Sequence, residues 1–430
     1  MDGRQAGRGG LAGLLAGRPV TRMEWGLERI DRMLEGLGRP ERSFRALHFA
    51  GTNGKGSAAA LAHSVLRAAG YRAALYTSPH LLEPRERIRA DGLTPARLDA
   101  CADRVRPLAD AVEATYFEAV TAVAFLAFAE TGVAWAAVET GLGGRLDATN
   151  LVVPGACGIV SLSHDHEAHL GSSLREIARE KAGILKPGVP VALGELPAEA
   201  GRVVEAAAEA VGAPVQRLGR EGRVEGVLPD LSGTRFTYRS ARRPGGMALR
   251  TPLVGAHQAA NAGVALLALE AALPELGKEA VRRGLEELRF EGRFQTIEAA
   301  DGLWVLDVAH NPAALRALRS TLEAVMPPRP IAWVIGILAD KPWAKMLPVV
   351  RRPGEAAVLT TPPSAPASRR WEPRKALEAW PEAEARPEFE RALARGRELA
   401  DGGTVVVTGS AYTVGDALAR LPRSPGEPRE

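Results

Sequence analysis

The chain has 430 residues, of which 46% are hydrophobic, and a formal net charge of +4. The length suggests two domains, and the composition is that of a globular protein rather than a disordered or fibrous one. No stretch interleaves basic and aromatic residues, and no apolar run reaches membrane-spanning length, so neither a nucleic-acid nor a membrane partner is expected. The two cysteines, Cys101 and Cys157, predict buried thiols in a reducing, cytoplasmic compartment.

The first 22 residues are predicted to form a disordered tail. A helix is expected over residues 23–37, because apolar residues recur there at helical spacing before Gly38 and Pro40. We divide the rest into a domain over 23–292, a second domain over 293–421 and a tail over 422–430.

A glycine-rich segment, which we call the phosphate loop, lies between a predicted strand and an alanine-rich helix that continues to about residue 69. This order is typical of a loop that binds phosphate through backbone N–H groups and a helix N-terminus. Lys55 would reach the β- and γ-phosphates, and the Ser57 hydroxyl would be available to Mg²⁺. The spacing departs from the usual pattern, and an ordinary glycine-rich turn is the alternative. The residues of the loop are Gly51, Thr52, Asn53, Gly54, Lys55, Gly56 and Ser57.

A second strand is predicted over residues 72–76, and it ends at Thr77-Ser78-Pro79-His80. Residues 81–88 are rich in charged residues and turn formers, so we expect a loop close to the phosphate site. Helical patterns follow over 95–113 and 117–130.

Residues 135–139 predict a short strand that ends in Glu139 and is followed by a glycine-rich segment at 141–147. Open α/β sheets bind ligands beyond the carboxyl ends of their strands, so Glu139 lies where a metal ligand would lie. The alternative is a carboxylate that accepts hydrogen bonds from the amides of the glycine-rich segment. The residues alone leave both interpretations open.

The predicted strand over 156–162 leads into a loop that holds three of the eight histidines, His164, His166 and His169. Clustered histidines at a strand end suggest metal or phosphate chemistry. No second pair of cysteines or histidines stands at zinc spacing, and a solvated loop is the alternative for His164 and His169. Lys181, on a helix predicted over 174–185, has the spacing of an ordinary surface lysine.

Residues 189–193 and 199–211 predict a strand and a helix, and residues 213–252 predict small antiparallel strands. A polar turn at 255–261 then opens a helix to residue 272. Asn261 could hydrogen bond an adenine edge, although its position alone favours a helix cap.

The second domain again alternates strands with helices, which predicts a parallel sheet covered on both faces. Asp307 and His310 belong to a polar cluster at the carboxyl end of its first strand. The predicted strands are 304–307, 331–335, 356–360 and 404–408, and the predicted helices are 312–325, 342–350, 373–379 and 388–400. The expected fold class is therefore α/β, with an N-terminal P-loop ATPase domain, a small antiparallel excursion and a Rossmann-like C-terminal domain.

Over roughly residues 24–418, the motifs resemble the folylpolyglutamate synthase/dihydrofolate synthase family of the Mur ligase superfamily, in that family's order. The Gly after Lys55 and the segment 77–81 separate the chain from the cell-wall Mur ligases. The matching segments are 26–30, 51–57, 77–81, 85–88, 141–150, 165–171, 180–184, 257–261, 292–295, 309–312 and 408–410.

The resemblance implies two Mg²⁺ ions, one held by Ser57 and Glu139, and the other by Glu139, His166 and a carbamylated Lys181. Lys55, His166 and Lys181 would then be the catalytic residues. The nucleotide would be contacted by Asn261 at the adenine, by Arg293 at phosphate, and by Asp307 and His310. The pterin-bearing substrate would be enclosed by Ser78, Pro79, His80 and Arg87.

The implied chemistry is attack of a substrate carboxylate on the ATP γ-phosphate, followed by displacement of phosphate by the amine of L-glutamate. Val308 stands where the family usually has glycine, and no role is assigned to His164 and His169. The partners would be ATP, L-glutamate and dihydropteroate or a reduced folate, with the protein a monomer. Two alternatives are a Mur-type ligase acting on another acid, such as a peptidoglycan precursor, and a nucleotide-dependent switch without ligation.

Overall fold

In the computed structural model, which describes residues 9–421, the first sheet has seven strands in the order β3-β2-β4-β1-β5-β6-β7. Only the pairing of β2 with β3 is antiparallel. In the central strand β1, Phe49 pairs with Glu139 of β4 on one side and with Gly158 of β5 on the other. The strands are β1 Arg45–Ala50, β2 Ala73–Tyr76, β3 Ile88–Ala90, β4 Trp135–Glu139, β5 Pro154–Ile159, β6 Val191–Leu193 and β7 Val215–Arg217.

Ten helices in the described N-terminal part accompany this sheet. Helix α5 is buried on nearly every face, and it begins with a capping box in which Thr115 and Glu118 bond each other's backbone. Gly132, at φ 64°, ends it in the left-handed conformation that glycine adopts without steric cost. The helices are α1 Gly10–Leu15, α2 Glu28–Gly36, α3 Lys55–Ala68, α4 Pro95–Ala111, α5 Tyr116–Thr131, α6 Glu167–Leu170, α7 Leu174–Ala182, α8 Ala198–Ala210, α9 Ala256–Ala272 and α10 Lys278–Glu286.

A three-stranded sheet in the order β10-β9-β8 corresponds to the strands predicted within 213–252. It consists of β8 Gly222–Asp230, β9 Gly233–Ser240 and β10 Arg243–Thr251. Its side chains Tyr238, Ser240 and Arg243 all bond the buried carboxylate of Glu270 on α9, with Arg243 Nε at 2.7 Å. This buried ion pair therefore joins the small sheet to α9.

The second sheet has six strands in the order β11-β12-β16-β13-β14-β15, and only β11 runs antiparallel to its neighbour. Its core includes Trp333, whose Nε1 donates to Glu355, and Glu355 also pairs with the buried Arg319. The elements are β11 Gln295–Ala299, β12 Gly302–Leu306, α11 Pro312–Val325, β13 Ile331–Ile335, α12 Trp343–Val350, β14 Ala356–Leu359, β15 Glu384–Ala385, α13 Phe389–Ala400, β16 Thr404–Thr408 and α14 Ala411–Leu418.

The predicted α/β class, with two largely parallel sheets, is confirmed. Contacts divide the chain into two compact units, and the longest segment of the second unit begins at Arg289, whereas the predicted boundary at 292/293 stays a prediction. Two short segments, 227–235 and 250–259, also belong to the second unit, which the sequence did not predict.

The prediction of a disordered tail over 1–22 is wrong for residues 10–15, which form helix α1. Helix α1 buries Leu11, Leu14 and Leu15, and the N–H of Leu11 donates to Asp99 of α4 at 2.9 Å. Three leucines in a glycine-rich stretch are too few for helical periodicity to be recognised in sequence. Residues 1–8 and the predicted tail over 422–430 lie outside the described residues.

The structure also corrects three smaller predictions about individual elements. The loop predicted over 81–88 contains a 3-10 helix, Pro84–Arg87, and runs into β3. The helix predicted over 373–379 is a 3-10 helix, Pro373–Glu378, and the helix predicted from residue 23 begins at Glu28. Within residues 9–421, none of the helices combines the length and apolar character that a bilayer crossing requires.

Candidate functional site

The phosphate loop connects β1 to α3, which begins at Lys55. Gly51 has φ 151° and Gly54 has φ 83°, conformations that side chains other than glycine rarely adopt. A Cβ at Gly54 would also lie 2.3 Å from Oδ1 of Asn261, so that position has room only for hydrogen. These two glycines let the chain turn directly from the sheet into the helix N-terminus.

The loop is fixed by hydrogen bonds to the segment that follows β5. The N–H of Thr52 donates to Ser161 O at 2.7 Å, and Thr52 Oγ1 donates to Ser163 O at 3.0 Å. The Ser161 hydroxyl accepts from the N–H of Asn53 and donates to the Asn53 carbonyl. The loop is therefore held in place by backbone groups and a side-chain hydroxyl of the segment after β5, as a preformed anion site requires.

Lys55 lies close to both this loop and Glu139, and Ser57 is buried in the first turn of α3. Lys55 Nζ donates to Thr52 O at 3.2 Å and lies 4.0 Å from Glu139 Oε1. The Ser57 side chain is only 1% exposed, and its hydroxyl has no hydrogen-bond partner among the described residues. A buried hydroxyl without a partner costs free energy unless a ligand satisfies it, so Ser57 suits a metal ion.

The contacts of Glu139 bear on the two interpretations of this residue. Its Oε2 accepts from the N–H of Ser78 at 2.9 Å, an amide of the loop after β2. In the glycine-rich segment, the N–H of Leu142 donates instead to the buried carboxylate of Asp147, at 2.8 Å. Glu139 therefore bonds the loop after β2 through one oxygen and lies near Lys55 of the phosphate loop through the other, and its role as a metal ligand stays a prediction.

Lys181 is not the surface residue that its spacing suggested. It is only 4% exposed, and its Nζ donates to the Gly51 carbonyl at 2.7 Å. Burial lowers the pKa of Lys181 to about 7, and the charge of Lys55 acts in the same direction. The carboxylates of Asp165 and Asp147 act in the opposite direction, which places both within electrostatic reach of the amine. The last turn of α7 therefore places an amine next to the phosphate loop, and this amine is readily neutral.

His166 lies at the start of the short helix α6, with an unusual backbone φ of 53°. Its N–H donates to Asp165 Oδ1 at 2.9 Å, and its Nε2 lies 4.0 Å from the same oxygen. The Asp165 side chain is buried, whereas His164 and His169 are exposed. Asp165 is therefore the member of this loop whose charge reaches Lys181, while a metal role for His166 stays a prediction.

The four residues predicted to bind the substrate lie in one region beside Glu139. Arg87 is buried, and its Nε donates to His80 Nδ1 at 2.9 Å while its guanidinium covers the Tyr116 ring at 5.2 Å. Burial lowers the pKa of His80 to about 4, and the Arg87 charge contributes. The bond Ser78–Pro79 is cis. His80 is therefore a neutral imidazole whose orientation is set by Arg87.

Asn261 is the sixth residue of α9, which begins at Ala256, so it does not cap that helix. It lies instead against Gly54 in the phosphate loop. Contact with an adenine edge stays a prediction.

In the second unit, Asp307 accepts hydrogen bonds from the N–H groups of Phe294 at 2.9 Å and Ala309 at 2.8 Å. Burial raises the pKa of Asp307, and Arg293 and His310 oppose that effect, so both side chains lie within electrostatic reach of this carboxyl group. His310 Nδ1 donates to the Val308 carbonyl at 2.9 Å. The structure thus brings the three predicted nucleotide contacts together within this unit, while their roles remain predictions.

Comparison with known proteins decides the family. Residues 49–269 match the Mur ligase middle domain, and residues 292–411 match the Mur ligase glutamate ligase domain. The dihydrofolate synthase/folylpolyglutamate synthase of Bacillus subtilis is 36% identical over 75% of this chain and 77% of its own length. The chain belongs to the folylpolyglutamate synthase/dihydrofolate synthase family of the Mur ligases.

Solved structures of the same family superpose over nearly the whole chain. Mycobacterium tuberculosis folylpolyglutamate synthase complexed with ADP has a TM-score of 0.87 at 31% identity, covering 94% of this chain and 96% of the other. Escherichia coli FolC in complex with DHPP and ADP has a TM-score of 0.85 at 31% identity, covering 94% and 95%. The Yersinia pestis bifunctional enzyme with AMPPNP and a Mn ion has a TM-score of 0.83 at 31% identity, covering 94% and 95%.

The residues present fit the divalent metal expected of this family. Among residues 9–421, no group of three or more histidine, cysteine, aspartate and glutamate side chains is arranged around a metal position. The fit rests on a different donor set, the unpartnered Ser57 hydroxyl and the Glu139 carboxylate near Lys55. Oxygen donors of this kind are those that Mg²⁺ prefers.

The sequence did not indicate several residues that the structure places around the phosphate loop and Glu139. Ser161 and Ser163, which hold the phosphate loop, belong to no recognisable motif, because serines after a strand are common. Thr140 follows Glu139, and its buried hydroxyl has no partner within the described chain. Asp147 was visible only as part of the segment 141–150. Asp147 is buried by tertiary contacts, which a sequence pattern does not show.

Proposed function

We propose that this chain is an ATP-dependent ligase that joins L-glutamate to a pterin-linked carboxylate through an acyl phosphate. The family membership supports this activity, and the curated relatives carry the names of both folylpolyglutamate synthases and dihydrofolate synthases. Dihydropteroate and reduced folates are the two candidate acceptors.

One observation carries the proposal most directly. A buried lysine of low pKa, Lys181, bonds the same phosphate loop whose Lys55 lies 4.0 Å from Glu139. A loop that only binds a nucleotide needs Lys55 and a helix N-terminus, and gains nothing from a second, desolvated amine. Positioned charge of this kind is what phosphoryl transfer to a carboxylate requires.

In the first step, a carboxylate oxygen of the acceptor attacks the γ-phosphorus of ATP, the bond to the β–γ bridging oxygen breaks, and ADP leaves. Lys55 and the N–H groups of the phosphate loop neutralise the charge on the transferred group. In the second step, the glutamate amine attacks the acyl carbon, phosphate leaves, and the amine gives up a proton. The chain's own contribution is positioning and charge, with little covalent work.

We propose Ser57 and Glu139 as ligands of one Mg²⁺, and Glu139, His166 and a carbamylated Lys181 as ligands of a second. Mg²⁺ supplies charge neutralisation on the phosphates when bound. The low pKa of Lys181 supports the carbamate, because only a neutral amine adds CO₂. The carbamate would convert a cation next to the phosphate loop into an anionic oxygen donor.

We further assign the acceptor to the loop after β2, with Ser78, Pro79, His80 and Arg87. The neutral His80 next to the buried Arg87 suits a polar heterocycle, which hydrogen bonds without needing a counter-charge. We propose a monomer in the cytoplasm, a location supported by the two free, buried cysteines.

The test is ADP release with ATP, Mg²⁺ and L-glutamate, offering dihydropteroate and tetrahydrofolate in turn. The proposal requires release that depends on both glutamate and one of the two pterins, with a glutamylated product in the mass spectrum. Release that needs a different acceptor acid would indicate a Mur-type ligase. Nucleotide binding without any acceptor-dependent release would indicate a switch, and either outcome overturns the proposal.

A further inference from the structure

The loop over residues 141–150 is attached to the C-terminal end of α7, the helix that carries Lys181. The N–H of Arg145 donates to the carbonyl of Glu180 at 2.8 Å, one residue before the lysine. Asn150 Nδ2 donates to the carbonyl of Gly183, the C-cap residue of α7, at 3.0 Å. The loop therefore holds the helix on both sides of Lys181.

Asn150 uses all of its polar atoms in this attachment. Asn150 is 7% exposed, and its Nδ2 also donates to the carbonyl of Arg145 at 3.0 Å. Its Oδ1 accepts from Lys186 Nζ at 2.9 Å. One buried side chain thus joins the loop, the helix end and the segment that follows the helix.

Two glycines allow the loop and helix to approach this closely. A Cβ at Gly144 would lie 2.9 Å from the carbonyl oxygens of both Glu180 and Lys181, and a Cβ at Gly183 would lie 2.3 Å from Cβ of Arg145. Neither glycine has a positive φ, so glycine is not required here for its backbone conformation. It is required because a larger residue would keep the loop and the helix apart.

The loop itself is internally braced. Asp147 accepts from the N–H of Leu142 at 2.8 Å and from the N–H of Thr149 at 3.0 Å, and it caps the 3-10 helix Ala148–Leu151. Carboxylate acceptors at such a turn fix the backbone on either side. A rigid loop can hold a helix end in place, whereas a mobile one cannot.

We propose that Asn150 is a positioning residue for Lys181, and that its two N–H bonds set the direction in which the lysine points at Gly51. This inference rests on the proposed ligase function. Lys181 Nζ reaches the Gly51 carbonyl at 2.7 Å from the last turn of α7, so any shift of that turn moves the amine away from the phosphate loop. The phosphate loop itself is held by Ser161 and Ser163, and does not depend on Asn150.

The test compares Asn150→Asp and Gly144→Ala with wild type. The first variant keeps the size of the side chain and the acceptor for Lys186, but it turns a carboxylate oxygen toward two carbonyl oxygens. The second inserts a methyl group between the loop and the helix end. Because a misplacement of about 1 Å costs about 10²-fold in rate, kcat should fall by about that factor in both variants. The dissociation constant of a non-hydrolysable ATP analogue should stay close to the wild-type value.

Arg145→Ala is the matched control. It removes the exposed ion pair with Glu180 but keeps the backbone N–H bond, so kcat should stay near wild type. Wild-type kcat in folded Asn150→Asp, or parallel loss of kcat and analogue affinity, would overturn the inference. If Asn150→Asp does not fold, the same measurements on Gly144→Ala replace it. Wild-type kcat in that variant, or parallel loss of kcat and analogue affinity, would then overturn the inference. A wild-type protein without glutamate-dependent ADP release would instead defeat the proposed function.

Discussion

Lys181 Nζ donates a 2.7 Å hydrogen bond to the carbonyl oxygen of Gly51, which lies 130 residues earlier in the sequence. Because burial lowers the pKa of Lys181 to about 7, a large share of this amine is neutral at neutral pH. An ordinary lysine, with a pKa of about 10.4, is almost wholly protonated there. The bond therefore places a nucleophilic amine, available to CO₂, at the first residue of the phosphate loop.

Replacing Lys181 by alanine should abolish most of the ligase activity, because the proposed anionic donor at the phosphate loop is lost. A short carboxylic acid added to the assay should partly restore activity by occupying the vacated space. The same acid should not stimulate Lys278→Ala, a control at an exposed position of α10. Full activity in Lys181→Ala without added acid contradicts the assignment.

The carbamate should be visible directly by ¹³C NMR after labelling with ¹³C-bicarbonate, as a resonance that is absent in Lys181→Ala. Protonated amine does not add CO₂, and the folded-state pKa of Lys181 is about 7. The resonance should therefore weaken as the pH falls from 8 to 6 at constant dissolved CO₂. A resonance that persists in Lys181→Ala, or that strengthens on acidification, would count against a carbamate at this position.

Lys55→Ala should lower turnover by about 10²–10³-fold, the usual cost of losing one preorganised stabiliser of developing charge. Lys55 is held at the phosphate loop by the Thr52 carbonyl at 3.2 Å, so its charge is already in position before nucleotide binds. Glutamate-dependent ADP release is the measurement, again with Lys278→Ala as the control. Near-normal turnover in a folded Lys55→Ala protein would rule out the phosphate-loop assignment.

The residues that form local patterns were predictable, and those defined by tertiary contact were not. The glycines and Lys55 follow a strand and open a helix, so their placement follows from chain order alone. Lys181 has the spacing of a surface lysine, and only the resemblance indicated otherwise, because nothing within α7 shows that its last turn faces β1. Helix α1 was missed for a similar reason, since its three leucines are buried by α4 and α5 rather than by a pattern of their own.

The buried cluster around Glu270 should carry much of the stability of the small sheet on α9. Arg243 Nε bonds Glu270 at 2.7 Å, and Arg243 also donates to the Leu276 carbonyl. Arg243→Met leaves a buried carboxylate without its cation, which typically costs 3–5 kcal/mol, so we expect a loss of about 3 kcal/mol. Arg67→Met, which breaks the exposed pair with Asp91, should cost less than about 1 kcal/mol. Equal shifts in the urea midpoint would contradict this difference.

Acid should destabilise the protein in part through His48, which is fully buried in β1. Its Nε2 lies 2.8 Å from Thr149 Oγ1, and its Nδ1 has no partner among residues 9–421. Burial lowers the pKa of His48 to about 3, and the nearby charge of Lys186 contributes. The unfolded chain, with a histidine pKa of about 6.5, therefore binds more protons than the folded chain between pH 6.5 and 3. The contribution of His48 to the free energy of unfolding is therefore fully present above pH 6.5 and is lost as the pH falls toward 3.

His48→Gln removes the titrating group while keeping a donor for Thr149. The variant is expected to be less stable at pH 7, but its further loss between pH 7 and pH 5 should be smaller than that of wild type by about 2 kcal/mol, since one pKa unit corresponds to about 1.4 kcal/mol. Urea unfolding at both pH values measures the difference. His169→Gln, the same substitution at an exposed position, is the control. An unchanged slope in His48→Gln would mean that His48 does not stay neutral in the folded protein over this range.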